Sequence, residues 1–576
     1  MHLKVSGLAA WAIFSFGLSA AESFAAEIRG TVVDPSGAPV IGAQVSVLDR
    51  VGVRAQTTTT LNGAYKLDAP DTPDAKLIIT ATGFNTETLP VQDGLTVKLA
   101  IAPLVDSVRV VGSAVDAPAS EQGGSVSLIP REEVRQRNEP YAMDLLRYLP
   151  GVTFNQSGPE GGVGSLFLRG ANSNFNLVQI DGVPVNWMGG YFDFAHIPSE
   201  AVDHIEMIRG AQSAVYGSYA NSGAINFVTR QPEAAPQLDL LAEGGTYREH
   251  RFGATGSATV GGFGLVVSGS RIDDNGPVVN SDYRNEDLLF SVSRHWKSQS
   301  LAFHGYYDAS DVGEPGPYGS DPKDTFTGID TISRSKVDFS EYGAHYEASI
   351  SDRVRQELFG GFFLENSGYT SPYGFSFDKE IRGQGESRTL ISVSRRYTVA
   401  VGASVGREQV RNTYITDSSF SVTPIPRNDY AVYIENRFEF GKLFLNAGIR
   451  GEWFHTPSIP SDGYSHPAFA PSTIARANPK VAAAYVERGT RFHASVGTGI
   501  RPPSGFELAF TTNPQLKPER TRSVDAGIEQ KLFGDRLLLD GTWFYNRYYD
   551  LIVSLGGSLS ALSHFTTDNL ANSRAQ

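Results

Sequence analysis

From about residue 236 the chain alternates apolar and polar residues over long runs, and this period of two dictates most of what it can become. In DYAVYIENRFEF, Tyr430, Val432, Ile434, Phe438 and Phe440 point one way, and Asp429, Glu435, Arg437 and Glu439 the other. A tight turn at Gly441 and Lys442 leads into LFLNAGIRGEW. There Leu443, Leu445, Ala447, Ile449 and Trp453 oppose Lys442, Asn446, Arg450 and Glu452. The pair SVDAGIEQKLF and RLLLDGTWFYN repeats the layout around Gly534 and Asp535, with Val524, Ala526, Ile528 and Leu532 opposite Asp525, Glu529 and Lys531. Roughly fifteen such strands run up to residue 555, about 16 in all.

Two environments accept ribbons with one greasy and one charged face. A soluble sandwich buries the greasy face against a second sheet, with strands of ~5–6 residues. A membrane barrel uses strands of ~9–11 residues, apolar outside and polar inside, with short turns at one end and long loops at the other. The strands here are long, and connections such as FGK alternate with SDVGEPGPYGSDPKDTFTGIDTISRS and TPSIPSDGYSHPAFAPSTIAR. The expected fold class is therefore all-β, a transmembrane antiparallel β-barrel. An open edge in hydrocarbon strands backbone N–H and C=O groups at several kcal/mol each, so such a sheet must close. A barrel this large holds a lumen that side chains alone cannot fill.

Composition agrees. The 60 glycines, 24 tyrosines and 33 phenylalanines against 4 methionines in 576 residues favour a turn-rich aromatic β protein. A formal charge of −13 excludes a nucleic-acid partner, which wants a basic stripe. Zero cysteines remove disulfides, thiolate metal sites and cysteine nucleophiles. The eleven histidines show no ligand spacing, and there is no HExxH or P-loop, so neither enzymatic activity, nor a cofactor, nor a metal site is expected.

Residues 1–25 carry Lys4, a short apolar run and small residues Ser23 and Ala25 before Ala26. They are expected to be a cleaved export signal rather than a membrane anchor. Residues 26–103 hold short β runs separated by turns, predicting a small β-sandwich ahead of the rest. The stretch GTVVDPSGAPVIGAQVSV resembles the carboxypeptidase regulatory-like domain, a spacer or binding module without catalytic residues. Residues 104–120 read as a linker with one β-prone run. Residues 121–232 open with a predicted short helix carrying Leu145, Leu146 and Leu149 on one face, then continue as glycine-rich short strands. The barrel itself occupies 233–576.

LFLRGANSNFNLVQIDGVPVN, IPSEAVDHIEMIRGAQSAVYGSYANSGAINFVTR and, far downstream, GIRPPSGFELAFTTNPQLKPERTRSVDAGIEQ are similar to the plug and barrel signatures of TonB-dependent outer-membrane receptors. The resemblance implies that 121–232 is a plug domain seated in the lumen. It further implies an outer-membrane receptor and active transporter of a Gram-negative cell. Such a protein binds a scarce bulky ligand (siderophore-iron, cobalamin or an oligosaccharide) and imports it when TonB, driven by the inner-membrane ExbB–ExbD motor, rearranges the plug. The N-terminal domain would then be periplasmic and the greasy face in contact with outer-membrane lipid. The alternative on the same barrel is a passive porin or surface adhesin. The coupling segment, or TonB box, would be Asp106, Ser107, Val108, Arg109, Val110 and Val111, free to add as an edge strand to its partner; the other reading of these residues is a plain linker strand.

Within the plug the matching residues are Arg169, Gly170, Asp181, Gly182, Arg209, Gly210, Tyr216, Gly217, Gly223 and Asn226. Glycine is expected where φ is positive or backbones approach closely, and arginine pairing with barrel carboxylates. Ligand contact is expected at Asn172, Asn174, Phe175, Trp187, Tyr191 and Phe192, whose aromatics otherwise pack the plug. Family barrels have 22 strands, roughly six more than here, so the chain reads as a truncated member.

Overall fold

The computed structural model describes residues 25–34, 37–49, 52–70, 75–81, 87–99, 113–115, 117–233, 236–296, 298–316, 328–372, 374–412, 424–462, 466–533, 536–555 and 566–576. The chain divides into two compact units, Met1–Arg109 and Val110–Gln576. The expected export signal and the coupling segment 106–111 lie outside the described residues.

The first unit is a sandwich. Three strands in the order Ala64–Pro70, Ala25–Val33, Leu95–Lys98 face four in the order Gly52–Thr58, Gln44–Asp49, Lys76–Thr80, Glu87–Pro90. Alternate residues of both sheets, among them Ile28, Val32, Val45, Val47, Leu67, Leu77, Ile79 and Val97, close its core. Burying such aliphatic side chains, at about 1.5–3 kcal/mol each, holds a domain that has no disulfide.

The second unit is dominated by one sheet of sixteen antiparallel strands, from Gln237–Gly244 to Thr566–Ala575, each paired with the next in sequence. Connections at one end are tight, as at 261–262, 352–353, 395–396, 441–442 and 488–489, while several at the other are long, as at 275–282, 457–471 and 502–518. Val354–Ser371 and Gly374–Ser394, of 18 and 21 residues, are about twice as long as a bilayer needs. Among the described residues no ladder joins the first strand to the last.

Burial across this sheet is inverted relative to a soluble protein. Val432, Trp543 and Ile528 are 53%, 60% and 43% exposed, whereas Arg437, Glu452 and Asp525 are only 3%, 3% and 1% exposed. A contiguous apolar outer face of this extent is stable only against hydrocarbon. The charged face turns inward, onto the domain formed by residues 113–233.

That inner domain has a mixed five-stranded sheet in the order Val183–Pro184, Asn176–Ile180, Gly223–Thr229, Val202–Arg209, Val126–Ile129. Asn176–Ile180 runs parallel to Gly223–Thr229 and the other pairs are antiparallel. The single helix predicted near its start is two, Arg131–Arg137 and Ala142–Leu146. Asn138 takes a left-handed conformation between them (φ 49°), and Pro140 removes the N–H needed to continue. Leu145 and Leu146 are buried and Leu149 half-buried against the same core.

Candidate functional site

The inner domain touches barrel strands all around the sheet and is gripped by side chains of the wall. Arg251 pairs with Glu200 at 2.5 Å, and Tyr283 donates to the Ala195 carbonyl at 3.4 Å. His345 Nε2 lies 3.0 Å from the Asp181 carbonyl. Arg382 donates to the carbonyls of Asn186 at 2.5 Å and Pro184 at 3.3 Å. Lys480 donates to Gln212 at 2.5 Å, and Phe175 stacks on Tyr548 with ring centroids 5.2 Å apart.

Plug arginine Arg230 does pair with Asp239 of the first barrel strand, but the expectation that the motif arginines Arg169 and Arg209 would pair with barrel carboxylates is corrected. Arg209 donates to the Pro150 carbonyl at 3.0 Å and the Ser127 hydroxyl at 2.8 Å, both within its own domain. Arg169 lies over the Phe544 ring, 4.8 Å from its centroid. Neither makes an ion pair among the described residues. The cations at the interface come mostly from the barrel, whose arginine forks reach the plug's backbone carbonyls. A folded domain with irregular loops presents many unsatisfied carbonyls, and a planar guanidinium with five donors serves several at once.

The remaining motif residues shape the backbone. Asp181 and Gly182 take φ of 45° and 85° in a tight turn. The Asp181 carboxylate then accepts from the Thr229 N–H at 2.9 Å and its hydroxyl at 2.5 Å, tying the turn to the last plug strand. Asn226 accepts from the Gly182 N–H at 3.1 Å. Gly223 is crowded instead: a Cβ there would stand 2.4 Å from Leu168 Cδ2 and 2.5 Å from the Ile208 carbonyl. Gly170, Gly210 and Gly217 have positive φ, and Tyr216 closes a four-residue helix beside them.

Residues 113–115 and 117–124, which follow the expected coupling segment, are fastened to one side of the barrel. The Ser113 hydroxyl and Ala114 N–H both donate to the Glu435 carboxylate, at 2.5 and 2.7 Å, and Asn446 donates to the Ser113 hydroxyl at 3.1 Å. Glu121 pairs with Arg437. Arg491 donates to the carbonyls of Gln122 and, at 2.7 Å, Gly124. Gly123 passes so close to Ala482 and Ala483 that a Cβ would lie 2.3 Å from a backbone nitrogen.

At the long-loop end the plug presents a ledge. Of the six residues expected to meet a ligand, Asn172 and Tyr191 are exposed, Tyr191 by 40%. Burial raises the Tyr191 phenol pKa, and nearby Arg501 opposes it. The other four are buried. Trp187 and Phe192 lie 5.7 Å apart by ring centroids, and Phe339 from the barrel packs edge-on against both. Asn174 donates to the Gly189 carbonyl at 3.4 Å. Their packing follows from length: in a loop this close to the wall, a large ring reaches the core more readily than the opening.

What holds the ledge is a group the sequence motif contained but did not single out. Arg501 of GIRPP is fully buried. It pairs with Glu519 of PER, forks onto Glu507 of GFEL at 2.5 and 3.1 Å, and donates to the Gly189 carbonyl at 2.8 Å. Glu507 is fixed by a capping box with Ser504, the N-cap of the short helix Gly505–Ala509. Glu519 also accepts from the Ile552 N–H at 2.8 Å. Beneath the ledge, Asp193 accepts from the Gly164 and Ala195 N–H groups at 2.8 and 3.0 Å and pairs with His196 at 3.1 Å. Burial would lower the His196 pKa, but the Asp193 carboxylate outweighs it and raises it.

Comparison with known proteins gives the following. Residues 235–576 match the family described as TonB dependent receptor-like, beta-barrel; 118–224 match the TonB-dependent Receptor Plug Domain; and 27–103 match the Carboxypeptidase regulatory-like domain. The chain is 27% identical over 443 residues to the vitamin B12 transporter BtuB of Vibrio vulnificus strain YJ016, covering 74% of this chain and 68% of that one. In fold it is similar to the siderophore receptor PiuA from Acinetobacter baumannii, with a TM-score of 0.66, 15% identity, and 82% and 77% of the two chains covered. It is likewise similar to the alcaligin outer-membrane receptor FauA from Bordetella pertussis, at 0.62, 16%, 80% and 78%.

Proposed function

Since the chain belongs to the TonB-dependent receptors, it is an outer-membrane receptor and transporter, and we propose that it captures a bulky ligand on the ledge at Asn172 and Tyr191 and imports it by a pull on its leading segment. The observation that carries this reading is the one-sided fastening of Ser113, Ala114, Glu121, Gln122 and Gly124. Force applied by TonB, powered by ExbB–ExbD, to Asp106–Val111 would reach Ser113 and Ala114 within a few residues. There it would act first on the hydrogen bonds to Glu435, then on the Arg437 and Arg491 contacts. Several such bonds at about 0.5–1.5 kcal/mol each, more where charged, can be broken in sequence. The Arg501, Arg382 and Arg251 grips on the rest of the plug are spread around the wall and would hold while one side opens.

Asn172 and Tyr191 would supply a polar and an aromatic contact, suiting a ligand with both a ring face and hydrogen-bonding groups. The likeness to proteins named for vitamin B12 makes cobalamin the first ligand to test and ferric siderophores the second. A passive porin is disfavoured by the plug's close fit within the wall. Outer-membrane lipid would cover the apolar face. Cells carrying a deletion of residues 106–111 should bind radiolabelled ligand as wild type does and accumulate none. Undiminished accumulation would remove the coupling role.

A further inference from the structure

The sequence shows no metal-ligand spacing, yet the fold brings one imidazole and two carboxylates together at the tight-turn end of the inner wall. Among the described residues, His493, Glu529 and Asp540 form the one group whose ligand atoms all lie within 4.8 Å of one another. They come from three successive strands, Thr490–Arg501, Glu519–Leu532 and Leu537–Leu555, each within four residues of that end. His493 opposes Gly527, and Arg491, Glu529 and Asp540 lie in register one step nearer the turns. A Cβ at Gly527 would stand 2.4 Å from His493 Nε2, so the missing side chain is what admits the ring.

We propose that these three side chains bind a divalent first-row transition cation of the Zn²⁺ class. One nitrogen and two carboxylate oxygens are borderline-to-hard donors, and three protein ligands leave a fourth position for water. An imidazole argues against Ca²⁺ and Mg²⁺, which take oxygen. Bonds of about 2.0–2.2 Å require the donors to close on the ion. His493 is buried, but Glu529 is half-buried and Asp540 exposed, so the carboxylates have room to move and the site has an open side.

The surroundings supply an independent sign. Thr542 Oγ1 lies 3.4 Å from His493 Nε2 and donates to Asp540 at 3.1 Å, which turns Nε2 toward the carboxylates. On the ring's other side Nδ1 stands 3.8 Å from Asp525 Oδ1. Both of those buried atoms lack a hydrogen-bond partner among the described residues. A metal-ligating histidine characteristically donates its second N–H to a carboxylate, which fixes the ring and raises its basicity. A closure of less than about 1 Å would complete that arrangement here. Asp525's other oxygen is already held by Ser495 at 2.7 Å.

One cation stands in competition. Arg491 pairs with Glu529 while donating to the Gln122 and Gly124 carbonyls of the plug's leading segment. Metal binding exchanges this partner of Glu529 for the ion and leaves Arg491 to the plug.

The test uses the full chain, purified in detergent without a histidine tag and stripped with chelator, titrated with Zn²⁺ by calorimetry and with Co²⁺ by visible absorption. One equivalent should bind, with Co²⁺ developing ligand-field bands. His493→Ala and Asp540→Asn should each weaken binding at least about 10-fold, and Asp525→Asn about 10- to 100-fold, as orienting carboxylates do. Replacing the half-buried His455, near the long-loop end of Leu443–Thr456, should change nothing. Arg491→Met should tighten binding, a gain that misfolding cannot produce. The proposal is overturned if wild type binds no more tightly than the His493→Ala/Glu529→Gln/Asp540→Asn variant, or if Arg491→Met leaves affinity unchanged.

Discussion

Replacing Arg501 by methionine keeps most of the side-chain volume and removes the one cation that, among the described residues, Glu507, Glu519 and the Gly189 carbonyl share. Both carboxylates are nearly inaccessible, at 6% and 1% exposed. Stripping one partner from a buried ion pair costs about 3–5 kcal/mol. Twice that is not expected, since Glu507 keeps Ser504 and Glu519 keeps the Ile552 N–H. The loss should fall on the ledge, because the guanidinium is its tie to the wall. At about 1.4 kcal/mol per tenfold, opening of residues 187–191 should become ~10²- to ~4,000-fold more frequent. Hydrogen exchange with mass spectrometry reads this directly. The Trp187 N–H bonded to Tyr191 and the Gly190 N–H bonded to Trp187 should lose protection, while Ile425–Phe440 keeps its own. Arg501→Lys, with the charge but no fork, should fall between. Neutralising all three in Arg501→Met/Glu507→Gln/Glu519→Gln should restore most of the protection, since the unpaired charge causes the cost. Exchange at 187–191 unchanged within threefold, or accelerated evenly across the barrel, would refute the reasoning.

Burial lowers the His204 pKa, but hydrogen bonds to Asp203 and Glu206 at 3.0 and 3.5 Å outweigh it and raise it to about 9. Since the folded value lies above the unfolded one, this stabilisation is complete below about pH 6.5 and lost as pH rises through about 9. Resistance of the plug to proteolysis should therefore fall between pH 7 and 9.5 by an amount on the order of 3 kcal/mol, and His204→Gln should flatten that dependence. Trp187→Ala, which empties a ring site shared with Phe192 and Phe339, should cost about 3–5 kcal/mol of plug stability in a denaturant melt. Tyr191→Ala should leave the melt unchanged and weaken ligand binding several-fold in a filter assay; the opposite pairing would return the packing and contact roles to the other residues.

The strands were legible because their cause is local. A period of two across Asp429–Phe440 and Leu443–Trp453 needs no distant information, and long strands joined by alternating short and long connections already favour hydrocarbon over a second sheet. The glycine turn at Gly182 could be read in the same way, since φ is a property of one residue. Side-chain partners could not. Arg169 and Arg209 belong to motifs whose charge suggests carboxylates, but which atoms lie within 3 Å depends on how the plug is rotated in the barrel. That rotation is set by many contacts far apart in sequence. Trp187 and Phe192 carry the same chemistry whether they pack or bind, and only the position of Phe339, on a strand about 150 residues later, settles it. Arg501, Glu507 and Glu519 could be quoted together as a motif, but their shared target, the Gly189 carbonyl, lies 312 residues upstream. His493, Glu529 and Asp540 have no spacing of their own and become neighbours through strand register. The sequence by itself determined the alternation, the turns and hence the class of sheet, because these follow from single-residue conformation and from water's rejection of apolar surface. Tertiary structure alone decided which charges meet, because Coulomb and hydrogen-bond energies fall away within a few ångströms and depend on where closure places each strand.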